Sequence, residues 1–453
     1  MLTATNPYLG EKIADYPALS NAAMSERIGD ANKAFESWQA KSFTQRADVL
    51  RAVAKELRHQ KPALAKLMAD EMGKPIKEGG PEVEKAASCA EFYADNAEHF
   101  LTADVLSSDA SLSYVRYQPL GTLLGILPWN APLWLAFRYL APALMAGNTC
   151  VMKHDPNVPA CAQAIADAFV TAGAPANVVV NLAIETSQVE QAIRDPRIMA
   201  VSFTGSAGAG AKVAAVAGSE IKPAVLELGG SDPFIVLADA DLERAADIAV
   251  LSRIINAGQS CIAAKRILVE QSIYPEFTEM LRTRLAALTL GDPTLESTDL
   301  GPIARDDLRQ NLHRQVTETV NAGARCLLGG ELPVGKGYFY PVTLLADVTT
   351  DMCAFQEETF GPIMAVAPVT DLEQAIGIAN DTEYGLGAAL WMADTDAAQQ
   401  AAGRLNAGQV AINGIVKTDP RLPSGGIKRS GYGRELGPHG IREFVNAKQV
   451  WIA

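Results

Sequence analysis

At 453 residues the chain is long enough for about two to three domains and a hydrophobic core of ordinary density. Hydrophobic residues make up 48% of it, yet no run of about 18 uninterrupted apolar residues occurs, which argues against a membrane span. The net charge of -13 comes from scattered acidic residues, a balance that favours solubility and disfavours nonspecific binding to nucleic acid.

The opening Met1-Leu2-Thr3-Ala4-Thr5-Asn6-Pro7 lacks a basic segment followed by an apolar one, so the cytoplasm is the expected compartment. Ile28, Ala31, Ala34, Phe35 and Trp38 recur at helical spacing, as do Val49, Val53 and Leu57, then Leu64, Leu67 and Met68, which predicts a helical first hundred residues. Residues 111–117 alternate at period two and predict a strand or hairpin arm. From Gly121 short apolar runs (residues 123–127, 149–153, 178–182, 199–203 and 223–228) alternate with helical stretches, the pattern of βαβ units on a parallel sheet. A second series starts at Pro233-Phe234-Ile235-Val236-Leu237, passes through a helix near residues 242–255 and ends near Asn413. The fold class is therefore α/β, with a doubly wound nucleotide-binding unit followed by a second α/β unit.

Asn256-Ala257-Gly258-Gln259-Ser260-Cys261-Ile262 sets one cysteine just after a glycine-containing turn, where its sulfur can face a cleft. The six cysteines form no CxxC pair and the five histidines show no metal-ligand spacing, so neither a disulfide framework nor zinc is expected. Glu227 closes an apolar run ahead of Leu228-Gly229-Gly230 and can serve as a base; Asn130 follows Pro128-Trp129 at the end of the first sheet strand and can donate its amide. Thiol, carboxylate and carboxamide together suit acyl chemistry. Phe203-Thr204-Gly205-Ser206-Ala207-Gly208-Ala209-Gly210 follows a strand and opens a helix, geometry suited to a pyrophosphate, although composition alone reads equally as an Ala/Gly-rich helix start.

The ordered set resembles the NAD(P)-dependent aldehyde dehydrogenase superfamily from about Asn6 to the C-terminus. The resemblance implies a Rossmann-type cofactor domain (residues 1–101 and 121–228), an α/β catalytic domain (229–420) and a small β bridging or oligomerisation arm (102–120 and 421–453), hence a homodimer or homotetramer. It implies that Cys261 carries a thiohemiacetal and then a thioester, that Asn130 with the Cys261 backbone N–H holds the oxyanion, and that Glu227 activates water. Relatives that pass the acyl group to coenzyme A generally lack that glutamate, so a free acid is the expected product. The FTGSxxxG-like element puts Thr204, Gly205, Ser206 and Gly210 at the cofactor phosphates, and Pro128, Trp129, Leu228 and Gly229 line the cofactor's path. Lys153 falls to the adenosine ribose. In Glu357-Glu358-Thr359-Phe360-Gly361-Pro362, Glu358 falls to the nicotinamide ribose and Phe360 beside its ring. Three residues after Lys153, where many NAD-preferring relatives carry Glu, stands Pro156; NAD is expected, with NADP as the second option.

Within the superfamily the pattern is most similar to the short bacterial succinate semialdehyde dehydrogenases. Those enzymes place an arginine eight residues after the oxyanion asparagine to hold the substrate carboxylate, here Arg138, and a hydroxyl residue at the position of Thr418. Glutarate semialdehyde and an uncharged aliphatic aldehyde are the alternative substrates, and a cofactor-independent thiol hydrolase or acyltransferase is the alternative of another class. The second arginine of many such enzymes is Ile255 here, with Arg253 out of register, and the second cysteine of some is Ala263, so no local disulfide switch is expected.

Overall fold

A computed structural model describes residues 1–453. Four helices, Asn21–Gln39, Phe43–His59, Lys61–Met72 and Ile76–Phe100, occupy most of the first hundred residues. The second is closed by a reciprocal capping box between Ser42 and Gln45, and its Leu50, Val53, Ala54 and Leu57 are buried. An antiparallel hairpin, Leu2–Asn6 with Glu11–Tyr16, precedes the helices and is the part of this stretch that the helical periodicity does not cover. Only Leu2 and Ala4 of its first strand are buried, too short an alternation to stand out in the sequence.

The first sheet has six strands in the order Gly431–Tyr432, Ala224–Glu227, Ile198–Thr204, Thr122–Leu127, Thr149–His154 and Val179–Asn181. All pair in parallel except Gly431–Tyr432, which runs antiparallel to Ala224–Glu227. The central strand Thr122–Leu127 is buried along its whole length, as expected where helices cover both faces of a parallel sheet. The second sheet has seven strands, Arg325–Leu328, Thr343–Ala346, Ile363–Val369, Ala264–Glu270, Asp232–Val236, Gly387–Trp391 and Gln409–Ile412, parallel but for the first. Asp104–Val105, Leu112–Pro119 and Val445–Ile452 form a separate three-stranded antiparallel sheet.

The tail therefore divides. Val445–Ile452 joins the three-stranded sheet, whereas Gly431–Tyr432, expected in the bridging arm, extends the first sheet and pairs Gly431 with Glu227. Gly431 sits at φ +112, and a Cβ there would fall 1.9 Å from the Leu226 carbonyl oxygen, so this close strand approach requires glycine. No helix is long and apolar enough to cross a membrane.

Asn148, fully buried, fastens these pieces together. Its Oδ1 accepts from the backbone N–H of Leu120 (2.7 Å) and Gly121 (3.1 Å), and its Nδ2 donates to the carbonyls of Ala143 (3.2 Å) and Phe444 (2.8 Å). Truncation strands buried donors and an acceptor, so Asn148→Ala is expected to lower the free energy of unfolding by about 3 kcal/mol; urea titration of the two proteins measures the difference.

Candidate active site

The first sheet delivers residues from the C-terminal ends of its strands, the edge where α/β sheets bind ligands. Pro128, Trp129 and Asn130 follow Thr122–Leu127, Lys153 lies near the end of Thr149–His154, Thr204 ends its strand, and Glu227 ends another. The second unit contributes from the opposite edge: Cys261 precedes Ala264–Glu270, while Glu358 and Phe360 precede Ile363–Val369. All of these face one cavity of about 1120 Å³, together with Gly205, Ser206, Leu228, Gly229, Arg138 and Thr418. Of the residues singled out in the sequence, Pro156 and Gly210 do not line it. Gly210 acts through packing, since a Cβ there would fall 2.4 Å from Leu228 Cδ2 and push the helix Ala207–Ser219 off the end of the Glu227 strand.

Cys261 follows a strained turn. Asn256 (φ 56), Ala257 (φ 53) and Gly258 (φ 75) are all left-handed, a conformation that costs a non-glycine residue about 1–3 kcal/mol. Hydrogen bonds hold it. Asn256 N–H donates to Glu78 Oε2 (2.7 Å), its Nδ2 donates to the Asn130 carbonyl (2.8 Å), and Asn130 Nδ2 donates to the Gln259 carbonyl (3.0 Å). Asn130 and the segment that leads to Cys261 are thus parts of one network. Arg253, fully buried and outside the cavity, donates from Nη2 to the Gly258 and Thr359 carbonyls, tying the turn to the Glu358 segment.

Burial pushes the Cys261 thiol up to about 11, against the opposing pull of Lys265 and Arg138. The local environment alone therefore disfavours a thiolate. Glu227 is buried, and that burial pushes its carboxyl up to about 7 although Arg138 pulls it down. Its Oε2 accepts from Arg138 Nη2 (2.8 Å), and its Oε1 has no partner. Arg138 Nε meets Glu435, also buried. Burial opposes the guanidinium's charge, and Glu435 and Glu227 more than offset it, so it stays above its ordinary range. Arg138 Nη1 forms no hydrogen bond within the protein.

Thr418 Oγ1 accepts from Lys85 Nζ (2.9 Å) and Trp134 Nε1 (3.1 Å). Glu358 Oε1 accepts from Lys265 Nζ (2.8 Å) and the Gly230 N–H (3.0 Å). Lys265 also donates to the Cys261 carbonyl (2.8 Å) and to that of Gly230, so one buried ammonium joins three segments of the site. Phe360 meets Trp129 edge to face at 5.8 Å between ring centroids.

The other half of the cavity fits a dinucleotide. Ser206 caps the helix Ala207–Ser219, accepting from the Ala209 N–H (3.3 Å), and nothing stands within 4 Å of a Cβ built on Gly208. The first turn is bare, with backbone donors and the positive end of a helix dipole. Thr204 Oγ1 is buried without a partner, and Lys153 is buried on the same wall. A Cβ on Gly229 would fall 2.2 Å from Glu358 Oε2, so only glycine leaves this carboxylate its place.

The pattern of the aldehyde dehydrogenase family matches residues 1–450. The chain belongs to the aldehyde dehydrogenase family. A protein of Synechocystis sp. named probable succinate-semialdehyde dehydrogenase [NADP(+)] is 46% identical over 452 residues, 100% of each chain. Succinate semialdehyde dehydrogenase [NAD(P)+] Sad of Escherichia coli is 45% identical over 446 residues, 98% of this chain and 96% of that protein. The crystal structure of succinic semialdehyde dehydrogenase from Streptococcus pyogenes with NADP+ superposes with a TM-score of 0.97 at 34% identity, covering 100% of both chains. This aldehyde dehydrogenase is thus an α/β oxidoreductase of the nicotinamide-dependent kind.

Sequence reading did not find Glu78, Lys265 or Glu435. Lys265 stands four residues after the nucleophile in Cys261-Ile262-Ala263-Ala264-Lys265, and Glu435 lies in the glycine-rich tail; both are charged residues amid apolar or tightly turned neighbours, the one available signal. Glu78, in the first turn of a long helix, reads as an ordinary N-terminal acid.

A Cβ on Gly258 would fall 2.5 Å from both the carbonyl carbon and the oxygen of Gly361, at a φ disfavoured for any other residue. Gly258→Ala is therefore expected to displace Cys261 and lower kcat by about a hundredfold or more, measured by steady-state aldehyde oxidation alongside circular dichroism to report the fold.

Proposed function

We propose that the chain oxidises succinate semialdehyde to succinate with NADP+, the acyl group passing through Cys261. The observation that carries this reading is one cavity holding a cysteine, a carboxylate near neutrality and an amide donor at one end, and a bare helix N-terminus at the other. Lys153, Thr204 and the first turn of Ala207–Ser219 would hold the dinucleotide phosphates and ribose, and Glu358 and Phe360 its nicotinamide end.

The Cys261 sulfur adds to the aldehyde carbon while its proton passes to Glu227, whose Oε1 is free to take it. Asn130 Nδ2 and the Cys261 N–H stabilise the resulting oxyanion; a donor of this kind typically contributes about 2.7–4 kcal/mol. NADP+, when bound, supplies the hydride acceptor that leaves a thioester on Cys261. Once it has released the thiol proton to solvent, Glu227 removes a proton from the attacking water and returns it to the sulfur as the C–S bond breaks and the acid departs. A histidine-dependent thiol hydrolase gains no support, since no histidine lines the cavity.

The lean towards NAD gives way to NADP. Pro156 offers no carboxylate where one would repel a 2′-phosphate, Lys153 stands on the adjoining wall, and both cited relatives whose names specify a cofactor include NADP. Arg138 serves two ends in this reading: Nη2 and Nε steady Glu227 and Glu435, and Nη1 is left for the substrate carboxylate. The projecting sheet supports a homo-oligomer, because Val445–Ile452 is an edge strand carrying Trp451 and Ile452, 49% and 46% exposed.

An aldehyde panel run with NADP+ and NAD+ tests the reading. Succinate semialdehyde with NADP+ is expected to give the highest kcat/KM, Cys261→Ala no dinucleotide reduction, and Arg138→Ala a larger loss on succinate semialdehyde than on butanal. Equal turnover of both aldehydes by the parent would overturn the substrate assignment. The pH dependence follows from Glu227: its value of about 7 lies above the ordinary carboxylate range, so the base form is lost as pH falls through about 7 and kcat is expected to fall with it. Glu227→Gln should slow both the burst of reduced dinucleotide and the turnover that follows it, read in a stopped-flow trace.

A further inference from the structure

The cations on the cavity wall divide by whether a carboxylate already neutralises them. Lys74 pairs with Glu82, Lys77 with Asp299, Arg305 with Asp307, and Arg138 with Glu227 and Glu435. Lys85, Lys153, Lys212 and Lys417 have no ion-pair partner; Lys212 and Lys417 are exposed and Lys153 lies at the dinucleotide end, whereas Lys85, on the long helix Ile76–Phe100, is half-buried. Its ammonium sits 4.2 Å from the centroid of the Trp134 ring and donates to Thr418 Oγ1 (2.9 Å). Thr418 in turn accepts from Trp134 Nε1, so its lone pairs are used by two donors and the remaining N–H groups of Lys85 are left without acceptors.

Lys85 also occupies the mouth. Pro81, Lys85, Lys417 and Thr418 line both the catalytic cavity and an outer hollow of about 660 Å³. A half-buried ammonium without a counter-ion is costly to maintain, and an entering anion offsets that cost. The charge around it favours this: Arg138 on the same wall repels Lys85 but is itself answered by two carboxylates, so of the two Lys85 is left uncompensated, with the exposed and likewise unpaired Lys417 beside it at the mouth.

We propose that Lys85, steadied by Trp134 and Thr418, is a specificity residue that binds the carboxylate of an ω-carboxylate aldehyde as it enters the cavity. The inference rests on the succinate semialdehyde reading and names a second cation besides Arg138 for that carboxylate. Trp134 positions the ammonium through its ring face and Thr418 through its hydroxyl, which gives Thr418 an indirect part, holding the cation.

Burial draws the Lys85 ammonium down to about 8, with Arg138 adding to the shift and Glu82, Cys89 and Asp419 opposing it. The cation is present below that pH and is lost as pH rises through it, so carboxylate recognition weakens on the alkaline side.

The test compares the parent, Lys85→Met and Lys85→Arg on succinate semialdehyde and butanal at saturating NADP+. The expected result is that Lys85→Met lowers the ratio of kcat/KM for succinate semialdehyde to that for butanal by about tenfold or more, mainly through KM. Lys85→Arg restores most of the ratio. In the parent, KM for succinate semialdehyde should rise as pH passes about 8, and in Lys85→Arg it should not. An unchanged ratio in Lys85→Met, or an equal loss on both aldehydes in both variants, overturns the role of Lys85 while leaving the functional reading intact. A parent that shows no preference for succinate semialdehyde over butanal overturns the functional reading itself. Should Lys85→Met fail to fold, the pH dependence of KM in the parent and in Lys85→Arg decides, and a parent KM that stays flat through pH 8 counts against the proposal.

Discussion

A single buried guanidinium held between two carboxylates sets the electrostatics of the centre. Arg138, Glu227 and Glu435 are all removed from water, and one positive charge stands against two potential negative ones. Leaving either carboxylate unpaired in this setting is expensive, and breaking a buried pair commonly costs about 3–5 kcal/mol. The trio resolves the imbalance by proton affinity: burial and the neighbouring Glu435 raise Glu227 to about 7, where it can hold a proton or release it. The raised proton affinity of Glu227 thus follows first from its burial and then from sharing one arginine with Glu435. The elements serving it come from three parts of the chain, the helix Pro132–Met145, the strand Ala224–Glu227 and the tail.

The Cys261 segment rests on a second device, backbone strain held by polar contacts. Three successive left-handed residues lead into Gln259, and the groups that hold them, Glu78, Asn130, Arg253 and Gln259, arrive from both units. Lys265 repeats the principle on the other side, joining Gly230, Cys261 and Glu358 through one ammonium. The seam between the two sheets is therefore most densely hydrogen-bonded where the chemistry is proposed to occur, which suits a site that must keep attacking sulfur, oxyanion donor and cofactor in fixed relation.

Much of the framework was legible in the sequence because its signals are local. Apolar runs such as Thr122–Leu127 are buried on both faces and read as central parallel strands, and Cys261, Glu227 and Asn130 each lie beside a turn that marks a strand end. The misses are of two kinds. The Leu2–Asn6 hairpin carries too few buried side chains to register, and Gly431–Tyr432 is too short for any periodicity. Glu78, Lys265 and Glu435 escape for a different reason: their meaning lies in partners 178, 93 and 297 positions away, and a charged residue shows its burial only after the chain has folded. The same holds for Arg138, whose position suggested a substrate contact while its two carboxylate partners could not be read from spacing.

The two-residue strand beside Glu227 carries an implication for how the enzyme comes into being. Ala224–Glu227 receives its outer neighbour only from Gly431–Tyr432, and Glu435 follows directly after. Polypeptide emerging from a ribosome can lay down the nucleotide-binding sheet and even the cysteine segment long before that neighbour exists. The surroundings of Glu227 are thereby completed only after residues 431–435 have been synthesised, well after Cys261 has left the ribosome.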